Sequence, residues 1–137
     1  MQHTKKMHTM AIEAMGKAYA PYSNFFVGAC ILSENNNLYT GANIENASYP
    51  QGWCAEASCI SAMVMAGDKK IKEILVIGGL KNTPIIDLCT PCGGCRQKIR
   101  EFADENCLIH IASENAILKT FTLAELLPYS FGPSNLQ

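Results

Sequence analysis

Apolar residues fall along this chain in short runs divided by polar turns, and each run has a length that suits one element. Thr9 to Ala20 is rich in Ala, Met, Glu and Lys and predicts a helix. Pro21 ends it, since proline lacks an N–H and restricts the residue before it. Phe25 to Leu32 is a continuous apolar run, which predicts a buried strand. Asn35-Asn36-Asn37 then reads as a turn, and Leu38 to Ile44 as the hairpin partner. Cys54 to Met65 is apolar and Ala-rich, predicting a helix that closes near Gly67. Ile71 to Ile77 suits a central strand. Gly93 to Ala103 predicts another helix, opening inside the Cys-Gly-Gly-Cys segment. Cys107 to Ala112 follows as a strand, and Leu123 to Leu127 as a short helix before Pro128.

Helix, hairpin, helix, strand, helix, strand implies an α/β fold, a mixed sheet with helices on both faces. A helical crossover between Ile71–Ile77 and Cys107–Ala112 makes those two strands parallel. The pattern shows no linker, repeat or low-complexity stretch, so residues 1–137 read as one domain.

Composition narrows the partners. Hydrophobic content of 48% and charged content of 17% suit an ordinary globular protein. A formal net charge of -1, with Lys5-Lys6 and Lys69-Lys70 as isolated pairs, argues against a polynucleotide and for a small molecule. The longest apolar stretch, Phe25 to Leu32, is too short to span a membrane. The N-terminus lacks the apolar core of a secretory signal. Seven cysteines in such a chain predict metal binding rather than a disulfide framework, and a cytoplasmic location.

Two segments concentrate the chemistry: Cys54-Ala55-Glu56, and Pro91-Cys92-Gly93-Gly94-Cys95. Cys54 opens one predicted helix, and Cys92 and Cys95 open another. Two helix N-termini facing one point supply partial positive charge and favour thiolates. Three thiolates hold one zinc ion and leave a fourth position for water, which ionises near neutral pH. Glu56 is placed to move protons beside it, the pattern of zinc deaminases. The thiols admit two other arrangements. Cys89, Cys92 and Cys95 have the spacing of an iron–sulfur run, although Cys107 lies at the wrong distance and no proline follows it. Cys89 or Cys59 as a fourth ligand makes a closed structural zinc module. Cys30, Cys59 and Cys107 otherwise read as buried small hydrophobes. His3, His8 and His110 lie outside these segments and are assigned neither ligand nor base roles.

Further blocks give these motifs a context. Pro21-Tyr22-Ser23-Asn24-Phe25-Phe26-Val27-Gly28-Ala29 resembles the first strand of the small, homotetrameric cytidine deaminases. Asn43-Ile44-Glu45-Asn46-Ala47-Ser48-Tyr49-Pro50 resembles their nucleoside-binding segment, and the two cysteine segments resemble their zinc motifs. Glu125 to Phe131 resembles their closing segment. The blocks occur in the family's order from about residue 19 to residue 131.

The resemblance implies a three-layer α/β/α sandwich with a five-stranded mixed sheet, and one zinc ion per chain on Cys54, Cys92 and Cys95. It implies Glu56 as proton shuttle, Asn43 and Glu45 on the ribose, Phe25 against the pyrimidine, and the Ala55 N–H on the base. Phe131 would enter a neighbouring subunit's site in a homotetramer. The implied reaction is hydrolytic deamination of free cytidine and deoxycytidine to the uridine products and ammonia, in pyrimidine salvage. Ala57 departs from the pattern, where the family usually has arginine after the glutamate. Zinc with three thiolates is net negative, and Ala57 cannot offset that charge; the helix dipoles, Arg96 or Arg100 are the candidates to do so. Some relatives that act on nucleoside antibiotics such as blasticidin S also lack this arginine, so that activity stands as an alternative. A polynucleotide editor and a non-catalytic zinc module are the remaining ones.

Overall fold

A computed structural model describes residues 2–137. Its centre is a five-stranded mixed sheet of order β2-β1-β3-β4-β5. The strands are β1 (Phe25–Ser33), β2 (Leu38–Ala42), β3 (Ile71–Leu80), β4 (Leu108–Ala112) and β5 (Ile117–Thr122). β1 pairs antiparallel with both β2 and β3, β3 runs parallel to β4, and β5 returns antiparallel on β4. The parallel pair is the one the helical crossover requires. The helices are α1 (Thr4–Met15), α2 (Ala55–Met65), α3 (Gly93–Phe102) and the single turn α4 (Leu123–Leu126).

The strand alternation sorts the core into two halves. Leu75 and Ile77 of β3 meet Met7 and Ala11 of α1 on one face. Ile74 and Val76 meet Cys59 and Met63 of α2 and Ile99 of α3 on the other. β3 has helices over both faces, which explains an uninterrupted apolar run rather than alternation. The result is the three-layer α/β/α sandwich.

Two close approaches fix the helices on the sheet. A Cβ on Gly28 would stand 2.1 Å from the Ala11 carbonyl oxygen of α1. A Cβ on Gly41 would stand 2.6 Å from Cys59 N and 2.7 Å from the Ala55 carbonyl oxygen of α2. Each glycine allows a helix backbone to lie directly on a strand.

Several boundaries differ from the sequence expectation. α1 covers Thr4–Met15 rather than Thr9 to Ala20, because Met7, Ala11 and Ala14 form its buried stripe. The chain leaves the helix at Gly16, so that Tyr19 donates its N–H to the Asn43 carbonyl and accepts from Glu45 N. β2 ends at Ala42 rather than Ile44, since Ile44 pairs with Trp53 instead. The strand pattern did not reveal β5, a sheet-edge strand with no fully buried residue. Asn36 (φ 63°) and Gly67 (φ 100°) adopt left-handed conformations in the hairpin turn and after α2, where turns were expected. Among the described residues no helix is long and apolar enough to cross a membrane.

Candidate active site

Each chemical residue owes its position to a helix end. Cys54 is the N-cap of α2, with Ala55 and Glu56 as the first two helical residues. Cys92 is the N-cap of α3, and Cys95 lies in its first turn. The two N-termini converge, and the ligand sulfurs of Cys54, Cys92 and Cys95 all lie within 4.8 Å of one another. Thiolates about 2.3 Å from one tetrahedral zinc ion stand roughly 3.8 Å apart, so three sulfurs gathered this tightly can hold one zinc ion. Cys30, Cys59 and Cys107 are buried in the core, as expected of small hydrophobes. Cys89 is a half-buried free thiol outside the three-sulfur cluster.

The electrostatics favour that use. Hydrogen bonds from the Cys95 and Cys92 thiols, with the charge of Lys98, push the Cys54 thiol down to about 6. Cys95 moves the opposite way, chiefly because it hydrogen-bonds Cys54 and is desolvated. One thiol of the cluster thus ionises readily, and the remaining protons leave when a metal dication arrives. Glu56 is 5% exposed, and burial pushes its carboxyl up to about 7, with the Cys54 charge adding to the shift. A carboxyl near neutrality can both take and return a proton.

A cleft of about 500 Å³ opens onto this cluster. Cys54, Ala55, Glu56 and Cys92 form its floor, and Asn43 and Glu45 stand in its wall. Asn43 Nδ2 donates to the Phe25 carbonyl and its Oδ1 accepts from Val27 N, both at 2.9 Å. Glu45 accepts from Tyr22 N at 2.9 Å, from Ser23 N at 3.1 Å and from the Ser23 hydroxyl. These bonds lower its pKa, the Ser23 hydroxyl contributing most, so Glu45 is a carboxylate held in one orientation. Ala55 supplies a first-turn N–H that has no intrahelical acceptor.

Two further expected residues are not part of the lining of this chain's own cleft. Phe25, at the start of β1, is half-buried, and its ring abuts Gly78 alongside Val27 and Cys89, which do line the cleft. Phe131 is 58% exposed beyond α4 and does not line the cleft of its own chain. The cleft also uses aromatic residues beyond those given a role from the sequence. Tyr22 and Tyr49 pack at its mouth with ring centroids 5.7 Å apart. Trp53, 57% exposed and adjacent to Cys54, completes that rim. The signal available for it was the position of the sole tryptophan beside a ligand.

The histidines are accounted for otherwise. His110 is buried, with Nε2 2.7 Å from Glu73 Oε1 and Nδ1 2.8 Å from the Thr120 hydroxyl. His8 Nε2 lies 2.7 Å from the Ser113 carbonyl oxygen. Ala57 lines a separate groove with Trp53 and Lys98. Arg96 and Arg100 direct their guanidinium groups to oxygen acceptors rather than to the thiols. The cation whose charge reaches both Cys54 and Glu56 is Lys98.

Comparison with known proteins places this geometry. Residues 1–111 match the family model described as the cytidine and deoxycytidylate deaminase zinc-binding region. The chain is 39% identical over 118 residues to a cytidine deaminase of Mycoplasma genitalium, covering 86% of this chain and 87% of that one. It is 36% identical over 121 residues to a cytidine deaminase of Halalkalibacterium halodurans, covering 88% of each. The crystal structure of a cytidine deaminase from Burkholderia pseudomallei superposes with a TM-score of 0.81 at 32% identity, covering 93% of this chain and 98% of that one.

Proposed function

The chain belongs to the cytidine and deoxycytidylate deaminase family, and from that premise we propose that it hydrolyses the amino group of free cytidine and deoxycytidine. The observation that carries the reading is Glu56, buried and poised near neutrality two residues after Cys54, at the floor of a nucleoside-sized cleft.

Cys54, Cys92 and Cys95 would hold the metal. Zinc bound in this way keeps one position for water and lowers its pKa to about 7. Glu56 takes a proton from the attacking water and delivers it to N3 of the cytosine. It then carries a proton to the departing amine as the C4–N4 bond breaks. Water thus adds its oxygen to C4, and the products are the uridine nucleoside and ammonia. One carboxylate serves both transfers because each resets it.

The cleft's other residues position the nucleoside. The Ala55 N–H, at the positive end of α2, is offered to the base. Asn43 retains one donor and one acceptor site beyond its bonds to β1, and Glu45 is acceptor-only. Together they suit the sugar 3′-hydroxyl, which both donates and accepts and which cytidine and deoxycytidine share. A pair built this way discriminates against sugars lacking the hydroxyl, because its polar groups would be left unpaired. Phe25 would support the pyrimidine side. The exposed ring of Phe131 is assigned to a neighbouring subunit's cleft, as in a homotetramer.

The test is loss of cytosine absorbance with cytidine, deoxycytidine and blasticidin S as substrates, with and without chelator. Chelator-sensitive turnover of the two pyrimidine nucleosides is expected. Turnover of blasticidin S alone would replace this reading with an antibiotic deaminase. A protein that retains zinc but turns over none of the three would return it to a structural zinc module.

A further inference from the structure

Arg96 follows the ligand Cys95 directly, yet its side chain turns away from the thiols. Its backbone N–H donates to the Cys92 carbonyl at 2.9 Å, and its Nε donates to the Pro91 carbonyl at 2.7 Å. The carbonyls on both sides of the Cys92 N–H and Cα are therefore held by one residue. Nη2 donates to the Thr90 hydroxyl at 3.1 Å, and Nη1 donates to the Leu126 carbonyl at 2.8 Å, at the end of α4.

These bonds answer local needs. The chain between β3 and α3 contains no regular element, and Pro91 is buried without an N–H of its own. A buried carbonyl there requires a partner. The Leu126 carbonyl, at a helix C-terminus, lacks an intrahelical donor. A planar guanidinium with fixed donor directions can meet both at once, which an ammonium cannot. α3 continues the seam with its next residues. Gln97 Nε2 donates to the Phe131 carbonyl at 2.8 Å, and Arg100 Nε donates to the Ser130 hydroxyl at 2.9 Å. Gly132 lies flat on that guanidinium, so that a Cβ there would stand 2.5 Å from Arg100 Cζ.

We propose that Arg96 is a positioning residue: it fixes the Cys92 sulfur by bracing Thr90-Pro91-Cys92 against the end of α4, making the metal loop and the C-terminal segment one mechanical unit. The inference rests on the metal role given to Cys92, but not on the identity of the substrate.

Full-length Arg96→Met and Arg96→Lys proteins, with the unaltered chain, test it through zinc transfer to a competing chelator. The melting temperatures of the zinc-loaded and metal-free forms are measured alongside. Loss of an outer partner of a metal ligand typically costs about 10–100-fold in metal affinity or activity. Arg96→Met is expected to release zinc faster by that factor, with Arg96→Lys between it and the unaltered chain. The gap between loaded and metal-free melting temperatures should narrow in the same order. Unchanged zinc release, with equal loss of melting temperature in both forms, would overturn the proposal in favour of a purely structural role. If Arg96→Met fails to fold, Arg96→Lys and Thr90→Val carry the same comparison, and unchanged zinc release in both overturns it. Zinc transfer needs no substrate, so a zinc-retaining chain that deaminates nothing overturns the activity alone. A chain that retains no zinc overturns the metal role and this proposal together.

Discussion

The Glu45 carboxylate is closed around Ser23, accepting both its backbone N–H, at 3.1 Å, and its hydroxyl. The acid proposed to bind ribose is thus held in place before any ligand arrives, by the segment that leads into β1. Replacing Glu45 by alanine should reduce kcat/KM for cytidine roughly 10–100-fold, the range for losing a hydrogen bond to a charged partner. The same variant should lose most of its preference for cytidine over 3′-deoxycytidine. Steady-state kinetics with both nucleosides measure this, and preserved discrimination would remove Glu45 from the sugar site.

Glu56→Gln should retain zinc while turnover falls by about 10²–10⁴-fold, the usual worth of a positioned acid–base group. Metal analysis and the absorbance assay on one preparation check both halves. Stability should move the other way in the metal-free protein. Burial raises the folded pKa of Glu56 from 4.5 to about 7, so the folded state disfavours the carboxylate. That cost begins as pH rises past the unfolded value and is complete above the folded one. Metal-free Glu56→Gln should therefore be more stable than the metal-free parent above about pH 7, by up to roughly 3 kcal/mol, with the difference vanishing near pH 4. Urea unfolding across this range would show it.

Gly41 and Gly28 allow the two helical layers to be separated by experiment. Gly41→Ala places a methyl group against Cys59 N and the Ala55 carbonyl, in the helix that carries Cys54 and Glu56. Gly28→Ala drives α1 away on the opposite face. Overpacking of this kind costs about 1–3 kcal/mol in either case. Zinc retention should suffer in Gly41→Ala and hold in folded Gly28→Ala, as read by metal content after dialysis.

Asp68 anchors the hairpin turn between β1 and β2. It accepts from Tyr39 OH at 2.6 Å, from Asn35 Nδ2 and Ser33 Oγ at 2.7 Å each, and from Asn37 Nδ2 at 3.0 Å. These bonds, that of Tyr39 first, hold its carboxyl well below the usual range. A depressed folded pKa contributes stability that is present above the unfolded value and is lost as pH falls through the folded one. Asp68→Asn should destabilise the protein at neutral pH, and the gap from the parent should begin to narrow as pH falls below about 4. A gap independent of pH in thermal melts would contradict the ionic account.

Much of this was legible in the chain because the signals are local. Apolar runs marked β1 and β3, and the cysteine spacing marked the helix starts at Cys54 and Cys92. β5 was not legible from its pattern, since an edge strand buries too little to impose alternation. The early end of α1 was hidden for another reason: Tyr19 leaves the helix to pair with the Asn43–Glu45 segment, which lies 24 to 26 positions further on. No local propensity reports such a partner.

The sequence by itself determined the donor set, because three thiols and an adjacent carboxylate at helix starts are a matter of residue type and spacing. It also determined the layer order, through the continuous apolar run of β3. Only the tertiary structure decided which charges meet. Arg96 and Arg100, both candidates to offset the thiolates, proved to be held by Pro91, Leu126 and Ser130, while Lys98 supplies the charge that reaches Cys54 and Glu56. A long side chain can reach several acceptors from one Cα. Which it reaches depends on the unpaired carbonyls that the folded chain brings near it, and those come from loops and helix ends distant in sequence.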